Sequence, residues 1–219
     1  LQQTTVVENI AGAGGAIAAR RVLDAPADGH TVFEASPSQL ILAGLVNRDI
    51  KFKSEDFRAI HMIGTSPYAI MVRSDLPARN ADELAALARD EAKKGKPLTY
   101  ASVGVGTLNH LLGEELSRRI DTPMVHVPYK GGADVMRDLV GGRVDVLLNI
   151  YTAQQIAMAQ DGRFRFLAAM SPGRQPLLPQ VPSVDESRAL KGFHTEIWTG
   201  VFVRKDTPED IVSTLNRAM

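Results

Sequence analysis

The chain has 219 residues with 44% hydrophobic and 23% charged side chains, an ordinary globular mix with enough apolar material for a core that needs no staples. Lys+Arg and Asp+Glu both number 25, so the formal net charge is zero, which argues against a nucleic-acid or anionic-membrane surface because both need a basic excess. The absence of cysteine excludes disulfide and thiol chemistry, and no apolar run approaches the roughly 20 residues of a membrane helix.

Short β-branched runs alternate with helical patterns, which predicts an α/β architecture with parallel strands. Thr4–Glu8 reads as a buried strand that turns through Ala11-Gly12-Ala13-Gly14-Gly15 into a small-residue helix over 16–23. Thr31–Ala35 reads as a second strand running into the polar loop Ser36-Pro37-Ser38, followed by a helical stretch over 40–46. Ala59–Gly64 and Tyr68–Arg73 read as two extended runs broken by Ser66-Pro67. Asn80 with Glu83 three residues on has the form of a capping box, and Leu84, Leu87 and Ala88 recur at helical spacing until Gly95. Strands are then predicted at 97–101, 124–129, 143–150 and 164–170, separated by helices from Leu108 through Leu116, over 133–140 and over 151–160. The Pro-rich stretch 171–182 reads as an irregular crossing, 196–203 as a further strand, and Thr207 as the cap of a last helix that starts at Pro208.

The most informative stretch is Ser102-Val103-Gly104-Val105-Gly106-Thr107. A strand ends, two glycines allow a tight backbone, and Thr107 opens a helix whose free N–H groups suit an anion. A carboxylate there gains about 0.3–1 kcal/mol from the helix dipole, and the hydroxyls of Ser102 and Thr107 can add hydrogen bonds. The same pattern also reads as a plain turn with Thr107 as its cap. Asn149 falls at the C-terminal end of a strand, where α/β folds place ligands, and either meets a ligand or caps the next helix. Gly12, Gly14 and Gly15 lack the third glycine of a dinucleotide fingerprint and fit a tight turn better. None of His30, His61, His110, His126 and His194 pairs at zinc-ligand spacing, so no metal and no cofactor is expected. His110, on the first turn of the anion helix, is a second hypothesis as an acid or base with Ser102 or Thr107, but no third residue is evident to orient it, and no enzyme activity is expected. Trp198 reads as core packing or, more sharply, as a hinge position.

An ordered set of segments carries a resemblance that no single motif carries. It comprises Val6-Val7-Glu8-Asn9 with the Ala-Gly-Ala-Gly-Gly turn, Ala27-Asp28-Gly29-His30-Thr31, Asp56-Phe57-Arg58, Ser74-Asp75-Leu76-Pro77-Ala78-Arg79 and Leu98-Thr99-Tyr100-Ala101-Ser102. It continues through Gly104-Val105-Gly106-Thr107, Asn109-His110-Leu111, Val125-His126-Val127-Pro128-Tyr129-Lys130-Gly131, Asp138-Leu139-Val140-Gly141-Gly142-Arg143-Val144-Asp145 and Leu178-Pro179-Gln180-Val181-Pro182-Ser183-Val184. In this order the segments closely resemble the tripartite tricarboxylate transporter receptors, also called Bug solute-binding proteins, over essentially the whole chain.

The resemblance implies a type II periplasmic-binding-protein (Venus-flytrap) fold, with two α/β lobes joined by crossing hinge strands and closing on a ligand. Residues 1–67 and 194–219 would form lobe 1, lacking its usual first strand, and 68–193 lobe 2. It implies a monomeric, non-membrane-embedded receptor in the periplasm of a Gram-negative bacterium, with a small carboxylate as ligand and membrane permease subunits as partners. Binding loops of the family match at Ser36-Pro37-Ser38, at Ser102 to Thr107 and near Asn149, so Ser36, Ser38, Ser102, Gly104, Val105, Gly106, Thr107 and Asn149 are the expected ligand residues. Against the family pattern, the chain begins after a usual first strand and Gly-rich loop and stops within a C-terminal helix, so a portion of a longer polypeptide is expected. Asn149 stands near a position that is often acidic in the family, which favours a carboxylate without an amino group. The competing function is a ligand-sensing module of the same fold, as a regulator's effector domain or a sensor-kinase partner.

Overall fold

The computed structural model describes residues 4–219. In chain order the helices are α1 (Ala16–Leu23), α2 (Ala43–Val46), α3 (Ala81–Lys93), α4 (Leu108–Arg119), α5 (Gly132–Val140), α6 (Ala153–Gln160) and α7 (Glu209–Ala218). The strands are β1 (Phe33–Ala35), β2 (Phe57–Arg73), β3 (Thr99–Ser102), β4 (Val125–Pro128), β5 (Val146–Ile150), β6 (Phe164–Ala169) and β7 (Glu196–Arg204). They form two compact units. The first comprises the chain up to Thr65, the short segment Gly104–Leu108, and Trp198–Met219. The second comprises Ser66–Val103 and Asn109–Ile197.

In the first unit, β7 lies between β1 and β2 and runs antiparallel to β1, with Phe33 opposite Phe202 and Ala35 opposite Gly200. The core under this small sheet is Ala16, Ala19 and Val22 from one face of α1 with Phe33, Leu40, Phe52 and Phe57. The rings of Phe33 and Phe52 meet that of Phe57 at 5.5 and 5.8 Å, an arrangement worth about 0.5–1.5 kcal/mol per pair beyond area burial. Ile60 and Val203 pack separately on Val212 and Leu215 of α7.

In the second unit, Tyr68–Val72 of β2 is buried on both faces and is flanked by β5 and β6, both antiparallel to it. Next to β5 come β3 and then β4, all three parallel, so the chain makes the crossovers β3–α4–β4 and β4–α5–β5. Met71, Ala101, Leu147 and Phe164 of the strands bury against Val135 and Leu139 of α5. α3 begins as its sequence predicts. Asn80 Oδ1 accepts from Glu83 N–H at 2.9 Å, Asn80 Nδ2 donates to Glu83 Oε1 at 2.9 Å, and Leu84, Ala85 and Ala88 face inward. It ends at Gly95 with φ +75°, where Lys96 N–H donates to Glu91 O at 2.9 Å.

Four readings of the sequence are corrected. Thr4–Glu8 is not a strand: Val6 and Val7 are 79% and 77% exposed, and no strand among the described residues pairs with them. The two runs around Ser66-Pro67 are one strand, β2. Pro67, which has no N–H to give, lies just before the ladders to β5 and β6, which begin at Tyr68 and Ala69, so its missing donor breaks no rung of those two. The stretch 171–182 is irregular but does not cross between units; it stays in the second, tied by Ala169 N–H to Pro182 O at 2.8 Å. Thr207 does not cap α7, since its hydroxyl is buried without a hydrogen-bond partner and Pro208 occupies the cap position.

Candidate functional site

Within the first unit three loops converge. The turn before α1 holds four consecutive residues at positive φ, Gly12 (+122°), Ala13 (+48°), Gly14 (+63°) and Gly15 (+92°). Glycine is needed at Gly15 for space as well, because a Cβ there would fall 2.3 Å from Cγ of Gln39. Gln39 in turn fixes the Ser36-Pro37-Ser38 loop: its Oε1 accepts from Ser36 N–H at 2.9 Å and from Ser36 Oγ at 2.6 Å, and Ser36 Oγ accepts from Ser38 N–H at 3.3 Å. The third loop, Gly104–Leu108, meets this one where Leu108 N–H at the start of α4 donates to Ser38 Oγ at 3.4 Å. Gly106 has φ +80° and faces Val46, whose Cβ would lie 2.7 Å from an added methyl. Thr107 is buried, and its hydroxyl donates to Gly104 O at 2.7 Å, so its side chain closes the loop on itself. Val105 is 62% exposed at the tip.

The second unit presents the C-terminal ends of three adjacent parallel strands, the place where open α/β sheets bind ligands. Ser102 ends β3 and is fully buried, with Oγ 2.6 Å from Nε2 of His126 and its carbonyl accepting from Tyr129 N–H at 2.9 Å. Asn149 lies near the end of β5, opposite Ala69. Its Oδ1 accepts from Nδ2 of Asn109 at 3.1 Å, and the same Nδ2 donates to Leu148 O at 2.6 Å. Asn149 therefore does not cap α6; Thr152 does, in a capping box with Gln155. Behind Ser102 lies a stacked row in which His126 is 4.2 Å from His110 and 5.0 Å from Tyr100 between ring centroids. Burial first, and then the neighbouring His110, pushes the His126 imidazole below its ordinary range. Burial, reinforced by the hydrogen bond its hydroxyl gives to Glu114, raises the Tyr100 phenol.

Ser36, Ser38, Gly104, Val105, Gly106 and Thr107 are thus drawn together in the first unit, and Ser102 and Asn149 lie at neighbouring strand ends of the second. Sequence reasoning did not single out Gln39, Asn109 and His126 for the site. Gln39 and Asn109 carried a weak signal, since an amide three residues after Ser36 and one just inside a helix both favour backbone bonding. Trp198 is the first residue of the chain's return to the first unit and packs against that unit's core beside Phe202. The site offers hydroxyls and amides, groups that can hold an anion. Ser102 is fully buried in this structure, with its hydroxyl against His126.

Two α/β units, with β2 and β7 contributing to both, give the chain the fold of the periplasmic binding proteins. The chain belongs to the tripartite tricarboxylate transporter family receptors, whose family model matches residues 1–219. It is 37% identical over 216 residues to the UPF0065 protein in the tcbD-tcbE intergenic region of Pseudomonas sp. (strain P51), covering 98% of this chain and 62% of that one. The chain thus spans about three-fifths of the length of that curated relative. Among solved structures, an R. palustris protein with adipate superposes with a TM-score of 0.90 at 31% identity, covering 98% of this chain and 71% of the other. MatC from Rhodopseudomonas palustris with bound malate gives 0.84 at 27% identity, covering 94% and 69%. Family members are periplasmic solute-binding receptors, and no helix among the described residues is long and apolar enough to cross a membrane.

Proposed function

We propose that this chain is the binding part of a periplasmic receptor that captures a small dicarboxylate and delivers it to membrane permease subunits of a tripartite tricarboxylate transporter. The observation that carries this reading is the pair of polar side chains at neighbouring ends of the parallel strands β3 and β5, Ser102 and Asn149, the second hydrogen-bonded to Asn109 of α4. Neutral donors of this kind stabilise a carboxylate without demanding a fixed counter-charge. The adipate and malate seen in the two R. palustris structures supply the chemical class. Ser36, Ser38 and the loop 104–107 are proposed as further ligand residues, acting through bridging water, because the hydroxyls of Ser36 and Thr107 and the N–H groups of Ser36, Ser38 and Thr107 are already bonded within their own loops.

A thermal-shift screen of the full-length protein against mono-, di- and tricarboxylates and amino acids tests the reading. A ligand at about 100 times its Kd adds roughly 2.7 kcal/mol. For a chain of this size that is a rise of about 5–10 °C. A selective response to dicarboxylates is expected, and no response to any acid would overturn the proposal.

A further inference from the structure

One cluster of titratable groups in the second unit is not used by the carboxylate site as described, yet touches it. His126 of β4 reaches Ser102 of β3 through its Nε2, 2.6 Å from Oγ. One ring further, His110 of α4 stacks on His126 at 4.2 Å with 28° between the planes. Tyr100, directly opposite His126 in the parallel ladder, stacks on the same imidazole at 5.0 Å. Glu114, one turn beyond His110, takes the Tyr100 hydroxyl hydrogen and lies 3.9 Å from His110 Nε2. The titratable groups facing His126 are therefore His110 and Glu114 from α4 and Tyr100 from β3.

We propose that His126 is a positioning residue for Ser102, and that its stack with His110 makes that positioning respond to a single proton. The inference rests on the carboxylate-receptor reading, in which Ser102 is part of the site. With Nε2 unprotonated, His126 accepts the Ser102 hydroxyl hydrogen and fixes the rotamer of a fully buried side chain at the mouth of the 102–107 loop. When a proton binds Nε2, that nitrogen becomes a donor, the Ser102 hydrogen must turn elsewhere, and a positive charge stands face to face with the second imidazole. The burial of His126 and its neighbour His110 both oppose that proton, so His126 rests neutral near neutral pH. Glu114 favours the proton but is already engaged by Tyr100. Acidification is therefore expected to release Ser102 and loosen the ligand loop.

The test is titration calorimetry of the full-length protein with adipate and with malate, from about pH 7.5 down to about pH 4.5, a window that reaches below histidine's ordinary range because burial and His110 hold the His126 proton off. His126→Gln offers Ser102 an amide partner but takes no proton; His126→Ala offers none. His126→Ala is expected to bind on the order of tenfold more weakly than wild type at the upper pH, the cost of one net hydrogen bond. His126→Gln is expected to keep most of the affinity there. Between the two pH values, wild type should lose several-fold more affinity than His126→Gln; the ligand's own protonation is common to both and cancels in the comparison. If His126→Ala fails to fold, Ser102→Ala removes the same bond from its other end and should flatten the pH profile. A variant pH profile that tracks wild type, or a folded His126→Ala that binds as tightly as wild type, overturns this inference alone. Wild type binding neither acid, with no response to any acid in the thermal-shift screen, takes down the receptor reading and this inference with it.

Discussion

Gly113 lies inside α4, where alanine would ordinarily be the better residue by about 1 kcal/mol. Here the opposite is expected. A Cβ on Gly113 would fall 2.0, 2.2 and 2.6 Å from Cε2, Cδ2 and Cζ of Tyr100, far inside contact distance. The Tyr100 ring has little room to retreat: it is fully buried, its strand is held between β4 and β5, and its face is stacked on His126. Overpacking of this sort costs about 1–3 kcal/mol. Displacing the ring also strains the hydrogen bond from its hydroxyl to Glu114, worth about 1 kcal/mol. Set against the gain in helix propensity, Gly113→Ala should be destabilised by about 2 kcal/mol. In a thermal melt followed by circular dichroism that is a fall of about 4–8 °C for a chain of this size. A midpoint equal to or above wild type would refute the close packing of α4 on β3 from which the estimate is built.

Asp145 accepts from Thr99 N–H (2.7 Å), Thr99 Oγ1 (2.8 Å) and Arg73 Nε (2.8 Å) in a largely shielded position, so Asp145→Ala should cost on the order of 3 kcal/mol by urea denaturation, and Asp145→Asn less. Asn149→Asp keeps an acceptor for Asn109 but adds a negative charge at the strand end, so calorimetry should show dicarboxylate affinity reduced at least about tenfold with the melting midpoint within a few degrees of wild type; undiminished affinity would remove Asn149 from the site. The Arg174 guanidinium, and secondarily the Ser183 N–H, hold the Glu186 carboxyl down at about 2. That depressed value means the contribution is whole above the unfolded value of roughly 4.3 and is lost as pH falls toward 2, so Glu186→Gln should lie below wild type above that window, converge on it toward pH 2, and so flatten the acid limb of the stability–pH curve.

The elements that were legible in the sequence are those whose stabilisation is local. Asn80, Glu83 and Gly95 bracket α3 because the bonds that begin and end a helix are made by residues three to five apart. The alternation of parallel strands and helices from β3 to β5 could be read for a similar reason, since each strand is a short run followed by a helical pattern, with Gly104 just after β3 and Pro128 at the end of β4. Thr4–Glu8 shows the opposite case. Its composition suits a strand, but a strand exists only through a partner, and none of the described residues supplies one. Thr207 failed for a subtler reason: a threonine before Pro-Glu-Asp has the right chemistry for a cap, yet its hydroxyl is turned into the interior.

The site was legible as loops but not as contacts. Glycines at 104 and 106 announce a backbone that needs positive φ, and that property belongs to the residues themselves. What Ser102 touches belongs to register. The parallel ladder places Tyr100 beside His126 and Ser102 beside Pro128, and only this offset lets an imidazole 24 residues away reach back to the serine hydroxyl. A different register of β4 would alter that alignment, and a slip by one residue would turn His126 to the other face of the sheet, leaving the Ser102 hydroxyl to another partner. The same dependence explains the histidines. Read singly along the chain, His110 and His126 look like two unrelated polar residues; packed 4.2 Å apart, they form one stack in which His110 opposes a proton on His126. Their significance is therefore a property of how α4 lies on β3 and β4, which is also why Gly113, where that packing is tightest, is the position most sensitive to a single added methyl.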